Sequence, residues 1–369
     1  MFKLRVVQAK FGDCFIVIYG TEKTPKYLLI DGGPGGVYPN YLRPELKKIN
    51  DEGGELELII LSHVDGDHIV GLINLTEELR EQQVDGEPPI IKVNGLWMNS
   101  FSNTIGKNNQ LTHAVQSLFS RVQNIRSTMP EGDLVLQSIA QGSTLKRNAL
   151  ILEIPVNEVV NEGIITNSLL QDTVSIRNLN LKVIGPNSDN LESLRKEWEE
   201  WIKKNEAKLM LADAEIMANL DKSVPNLSSI MFLMEAEGKS ILFTGDGRGD
   251  FILEGLTEAG LIGDDEKMHV DVLKVPHHGS IRNATSDFFE KITADVYVVS
   301  GDGHHGNPEF ETLKWIVMAA HTQKRKIQLI CTNETTATTK ILKDFPMNDY
   351  NYELLYLPKG SHSRDIVLA

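Results

Sequence analysis

Apolar and polar positions alternate from the first residues of the chain. Phe2, Leu4 and Val6 are separated by Lys3 and Arg5, the period-two pattern of a strand with one buried face. Leu4 to Val7 and Phe15 to Tyr19 predict two strands around the turn Lys10-Phe11-Gly12-Asp13. A third, Tyr27 to Ile30, stops at Asp31-Gly32-Gly33-Pro34-Gly35-Gly36. Asn40 to Asp51 has helical spacing, and Leu56 to Leu61 is an apolar run that predicts a buried strand. A helix leaves through Ile69-Val70-Gly71-Leu72-Ile73.

The middle of the chain is patterned differently. Leu96-Trp97-Met98 and Leu179 to Ile184 predict strands, whereas Leu111 to Val122 and Leu191 to Leu220 have helical periodicity. The last third returns to strands. Ile230 to Met234 and Ser240 to Phe243 flank the hairpin turn Glu237-Gly238-Lys239, and further strands end at Lys274-Val275-Pro276 and at Val296 to Val299. β-rich blocks at both ends with helices between them suggest an α/β (α+β) fold, sheets sandwiched by helices in one domain, 1–369. Within it, 76–225 reads as an elaborated, mostly helical insert.

Composition changes this picture little, but charge narrows the partners. The formal net charge of −14 disfavours a non-specific polyanion binder, which needs many Lys and Arg on phosphates. It leaves phosphodiester chemistry open, because a metal-lined cleft can outweigh the average field locally. Cys14 and Cys331 lie among apolar neighbours and read as buried free thiols. The N-terminus lacks a signal peptide's apolar core, and no apolar run reaches membrane-spanning length. The expectation is a reduced, cytoplasmic chain without membrane contact.

Candidate chemistry concentrates at His63-Val64-Asp65-Gly66-Asp67-His68. The strand delivers His63 and Asp65 to one side, since alternate residues share a face, and Asp67 and His68 fall where the next helix begins. Helix capping would account for one Asp, not for two His and two Asp in six residues. Asp at the second position makes the site oxygen-rich, favouring manganese or magnesium while allowing zinc. Two such ions about 3.5–4 Å apart can share a hydroxide nucleophile and clamp phosphoryl oxygens.

Three later loops follow strands. Thr244-Gly245-Asp246 places Asp246 where it can bridge two metals, although Asp after Gly is common in turns. His277-His278-Gly279-Ser280 offers a proton donor for a leaving oxygen (His278, with His277 as the alternative) or a further ligand. His304-His305-Gly306-Asn307-Pro308 makes His305 the candidate for the remaining ligand of the second metal. Asp31 reads either as a partner orienting a ligating histidine or as a turn former. Lys274 faces phosphate or solvent. His113, His269 and His321 have no ligand neighbours and read as ordinary surface or helix residues.

The order Asp31-Gly32-Gly33, His63 to His68, Thr244-Gly245-Asp246 and a late His loop resembles the metallo-β-lactamase-fold hydrolases. More narrowly, Gly12-Asp13, Leu61-Ser62-His63-Val64-Asp65-Gly66-Asp67-His68, Asn226-Leu227-Ser228-Ser229-Ile230, Leu242-Phe243-Thr244-Gly245-Asp246 and Leu273-Lys274-Val275-Pro276-His277-His278-Gly279-Ser280 resemble the hydrolase domain of the competence protein ComEC and its stand-alone relatives. The resemblance implies a four-layer αββα sandwich with divalent metals at one edge between the sheets, and phosphodiester or nucleotide hydrolysis. It departs from the family twice. The usual histidine between the second motif and the Thr-Gly-Asp turn is missing, with Asn226 and Ser229 in its neighbourhood, which predicts a weakly held or water-filled first metal. The Gly-His-Pro of ComEC-like domains reads Gly306-Asn307-Pro308, which moves the expected ligand to His305. ComEC's membrane channel segments are absent, so DNA uptake does not carry over.

The expected function is therefore a metal-dependent phosphodiesterase or nuclease acting on nucleic acid or a nucleotide. His63, Asp65, Asp67, His68, Asp246 and His305 would hold one or two ions (Zn, Mn or Mg), and Asp67, His278 and His277 would carry catalysis. Hydrolysis of a carbon ester, amide or thioester is the alternative enzyme reading. A binding or regulatory protein that has lost catalysis is the third, favoured by the missing histidine and by Asn307. The acidic surface is compatible with an operon-encoded protein partner that supplies substrate specificity.

Overall fold

The computed structural model describes residues 1–100, 134–193, 195, 196, 200, 228–263 and 266–369. The helix expected at 111–122, most of the one at 191–220, and Asn226 lie outside the described residues. Among those described, strands β1 (Phe2–Val7), β2 (Phe15–Thr21), β3 (Thr24–Ile30), β4 (Leu56–Ile60), β5 (Leu96–Trp97) and β14 (Ser363–Val367) form one sheet, in the order β14-β1-β2-β3-β4-β5. The other sheet runs β13-β12-β11-β10-β9-β8-β7-β6. It is built from β6 (Val174–Ile176), β7 (Leu179–Gly185), β8 (Met231–Ala236), β9 (Lys239–Phe243), β10 (Met268–Lys274), β11 (Ile292–Val299), β12 (Ile327–Cys331) and β13 (Tyr352–Tyr356). The region 76–225 thus contributes three described strands to the sheets.

Side-chain alternation assigns each residue to a layer. Phe2, Leu4, Val6, Phe15, Val17 and Tyr19 point into the space between the sheets, where they meet Phe232, Met234, Ile241, Phe243 and Val298. Phe15 and Phe243 touch across that space with ring centroids 5.9 Å apart. The opposite face of the first sheet, including Ile16, Ile18 and Leu29, packs on helices α1 (Arg43–Asp51), α2 (Gly66–Asp85) and α3 (Leu134–Ile151). The outer face of the second packs on α4 (Gly249–Glu258), α5 (Ser286–Lys291), α6 (Phe310–Thr322) and α7 (Thr336–Asp344). Strands covered on both faces are apolar at successive positions, as Leu58 to Ile60, Ile241 to Phe243 and Val296 to Val299 are. The result is the four-layer αββα arrangement.

β14 closes the first sheet by pairing antiparallel with β1, and Arg5 binds Asp365 through Nε and Nη2 at 2.7 and 2.9 Å. No described helix is long and apolar enough to cross a membrane.

Helix α2 carries the His/Asp motif at its start, and its seating depends on Gly71. A Cβ at Gly71 would lie 1.9 Å from the carbonyl oxygen of Gly32, in the loop after β3. Alanine would gain about 1 kcal/mol of helix propensity, but overpacking against backbone costs about 1–3 kcal/mol, so the clash wins. Gly71→Ala should therefore lower unfolding free energy in a denaturant titration. A stabilised variant would show that helix and loop can separate without loss.

Candidate metal centre

The functional side chains meet at the end of the sandwich where β3, β4, β9, β10 and β11 run out into loops. Asp31 follows β3 in a left-handed backbone conformation, φ 56°. Its carboxylate accepts from the Ser62 backbone N–H and from the Ser62 hydroxyl, both at 2.7 Å, and pairs with His68 Nδ1 at 2.8 Å. With the Ser62 hydrogen committed to Asp31, Ser62 Oγ is left to accept from His63 Nδ1, 3.0 Å away. Both histidines are thereby set with hydrogen on Nδ1 and a bare Nε2 aimed into the site. Asp31 does more than form a turn.

Asp65 is the N-cap of α2 without a side-chain cap bond, and Asp67 sits in the first turn, so neither carboxylate is consumed in capping. Across the cleft, the Thr244-Gly245-Asp246 turn buries Asp246, whose N–H donates to Ser229 Oγ at 3.2 Å and whose carbonyl accepts from Asn283 Nδ2 at 2.9 Å. His278 is 2% exposed, and its Nδ1 lies 3.2 Å from Ser300 Oγ.

The Nε2 atoms of His63, His68 and His278 are buried with no hydrogen-bond partner among the described residues. His278 Nε2 lies 3.3 Å from Asp67 Oδ2 and 3.5 Å from Asp246 Oδ1. His68 Nε2 lies 3.5 Å from Asp246 Oδ1 and 3.8 Å from Asp67 Oδ2. These separations are long for hydrogen bonds. They match two ligands sharing one ion, since bonds near 2.1 Å at a tetrahedral angle put donors about 3.4 Å apart. Nitrogen and carboxylate donors at this spacing fit a divalent metal.

Several expected residues fall elsewhere. His278, read as a proton donor or a further ligand, is turned in among His68, Asp67 and Asp246. The reason is local: His277 and His278 both have left-handed backbone, φ 45° and 54°, which swings the His278 ring inward onto Asp246. His305, expected as a ligand, is exposed on the loop after β11. Its ring packs on His304 and Phe11, with centroids 4.1 and 5.7 Å away. Ser229 supports Asp246 through its backbone. His269 lies 3.4 Å from Asp295 and His321 stacks on Tyr350, both away from the centre; His113 is outside the described residues.

Lys274, expected to face phosphate or solvent, faces neither: it is buried against Asp13, which the sequence singled out only within the Gly12-Asp13 motif. Asp13 forms a close pair with Lys274 Nζ, accepts from Ser300 Oγ, and lies 3.5 Å from His278 Nδ1. Lys274 is 1% exposed, donates to the Gly245 carbonyl at 2.8 Å, and sits 3.6 Å from Asp246 Oδ1. A lysine inside the apolar run Val272-Leu273-Lys274-Val275 was the available signal, because lysine is almost never fully buried unless paired.

Electrostatics follow from this packing. Burial disfavours charged Asp246, but His277, His278, His68 and His63 outweigh it and hold its carboxyl well below the usual range. Burial likewise disfavours charged His278, yet Asp246 and Asp13 raise it to about 9 in the metal-free chain. Below that pH the ring carries a proton that a metal must displace. Metal affinity should therefore climb with pH from 7 towards 9, by up to about tenfold per unit for each proton released. Dialysis against Mn²⁺ at pH 6.5, 7.5 and 8.5 would check it; a flat profile would show that His278 does not ligate.

Fold and site together define an αββα protein with a buried His/Asp cluster able to hold divalent metal, consistent with the metallo-β-lactamase fold. The family model described as "Metallo-beta-lactamase superfamily" matches residues 10–84, the stretch holding Asp13, Asp31 and the His63 to His68 motif. No curated protein is significantly similar to the chain in sequence. Among solved structures, a diphosphatase from the PhnP family is 10% identical with a TM-score of 0.39, aligned over 100% of this chain and 98% of that one. CmlA, a diiron β-hydroxylase from Streptomyces venezuelae, is 11% identical with a TM-score of 0.41, over 100% of this chain and 54% of that one. At this level of likeness neither activity transfers.

Proposed function

We propose that this chain is a metal-dependent hydrolase of the metallo-β-lactamase superfamily that cleaves phosphodiesters in a nucleic acid or a nucleotide. The observation that carries the reading is the convergence of the buried Nε2 atoms of His63, His68 and His278 with Asp67 and Asp246 at ligand spacing. When bound, divalent cations there lower the pKa of water and polarise a phosphoryl oxygen.

The chain's own residues supply the rest. Asp31 and Ser62 lock the tautomers of His68 and His63. Ser300 and Asp13 do the same for His278. Lys274 neutralises Asp13, leaving Asp65, Asp67 and Asp246 as the net negative charge facing the ions. Substrate would enter at the Asp65 and Asp67 side, where the carboxylates are 31% and 23% exposed while the histidines behind them are closed off.

Phosphodiesters are preferred to carbon esters because Asp65 makes the site oxygen-rich, which suits hard ions that clamp phosphoryl oxygens. The narrower resemblance to ComEC-like hydrolase domains supports the same choice. The test is hydrolysis of bis-p-nitrophenyl phosphate with added Mn²⁺, Mg²⁺ or Zn²⁺, against a chelated control. Metal-dependent release of p-nitrophenolate is expected. Turnover of p-nitrophenyl acetate alone would move the assignment to carbon esters, and metal binding without any turnover would favour a binding role.

A further inference from the structure

The two oxygens of the buried Asp246 carboxylate face different histidine sets. On the Oδ1 side stand His68 Nε2 and His278 Nε2, each 3.5 Å away. On the Oδ2 side stand His63 Nε2 at 3.7 Å and His277 Nε2 at 3.6 Å. His63 Nε2 is in turn 3.6 Å from Asp65 Oδ2. These three separations, 3.6 to 3.7 Å, lie in the same range as those around Oδ1. We propose that His277 completes a second metal lobe with His63, Asp65 and Asp246 Oδ2, supplying a nitrogen donor that no described residue between the His63 to His68 motif and Asp246 brings there.

Backbone conformation supports this independently of the distances. Two consecutive non-glycine residues with left-handed φ are strained, and such strain collects where side chains must be aimed. Pro276 precedes the pair and Gly279 follows with φ 86°. The His277 N–H is tied to the Gly245 carbonyl at 3.2 Å, and its own carbonyl accepts from Ser280 N–H at 2.9 Å. The bend sets the two rings nearly perpendicular, 87° between planes with centroids 5.8 Å apart, so each reaches a different oxygen of Asp246. A rim histidine with no task would need neither the strained residue nor this orientation. Charge agrees: Asp65, Asp67 and Asp246 bring three negative charges, so one dication leaves a net negative site and two leave a positive one that receives a phosphate.

The inference rests on the metal-centre reading, not on the choice of substrate, so metal content tests it. The intact chain is dialysed against Mn²⁺ and the bound ion measured by elemental analysis, beside His277→Asn and His277→Asp. Asparagine tolerates the left-handed backbone, and thermal unfolding of the metal-free variants verifies the fold. The native chain should hold two ions. His277→Asn should hold one, with the second step weakened at least about 100-fold, because partners behind the ligands already cost 10–100-fold. His277→Asp keeps an anionic donor and should recover part of the second step. Two ions in His277→Asn at native affinity would overturn the proposal alone. A single ion in the native chain, unchanged in the variant, would also overturn it while leaving the first lobe standing. No ion in the native chain would remove both readings.

Discussion

With Asp67 replaced by alanine, metal-dependent turnover should fall by about 10³-fold or more while the chain stays folded. The carboxylate sits between His278 Nε2 and His68 Nε2 at 3.3 and 3.8 Å, where it is the anionic donor of its lobe besides Asp246. Burial raises its pKa, but His68 and His278 more than offset this and bring it to about 2, so it is anionic at any working pH. Losing it would weaken the hold on a cation that, when bound, would lower the pKa of water for attack. The fold should survive. Asp67 is 23% exposed, and α2 begins at the Asp65 backbone without using either Asp side chain as a cap. Steady-state kinetics across metal concentrations, with circular dichroism of the same samples, checks the prediction. Native kcat at saturating metal would remove Asp67 from the centre.

Lys274→Met is expected to cost about 3–5 kcal/mol of stability in the metal-free chain. Asp13 and Lys274 are each 1% exposed. Burial pushes the Lys274 ammonium down and the Asp13 carboxyl up, yet each partner more than reverses the other's shift, so both are charged. Removing one member of such a pair leaves a buried charge without compensation, which is the expensive case, whereas removing both can be close to neutral. The double variant Asp13→Asn with Lys274→Met should therefore be more stable than Lys274→Met alone. Urea titration of the two variants and the native chain gives the comparison. A loss under about 1 kcal/mol in Lys274→Met would mean that water reaches Asp13.

Local pattern was enough for the architecture's parts. Alternation in β1 and β2, the turn after β8 and the apolar run of β4 are short-range signals, and the structure has strands at each. The His63 to His68 motif is compact enough to be read as one object, because a short link from strand to helix confines four donor side chains to six residues. The pairing of β14 with β1 left no such trace. Those strands are at opposite ends of the chain, and nothing within either specifies the other's register. Asp13 was named in the Gly12-Asp13 motif, but its role left no local trace, since its partners Lys274, Ser300 and His278 come from 261 to 287 residues away.

What the sequence by itself determined is the αββα class and the inventory of donors, since periodicity decides which face is buried and residue type decides which atoms can ligate. Only the tertiary structure decided how the donors are used. Two strained backbone angles turned His278, read as a proton donor or a further ligand, in towards His68, Asp67 and Asp246, and brought His277 to the other oxygen of Asp246. The loop after β11 left His305 at the surface. Such choices depend on where separate strands end relative to one another, and that is set by packing two sheets and their helices together, which no local stretch of sequence encodes.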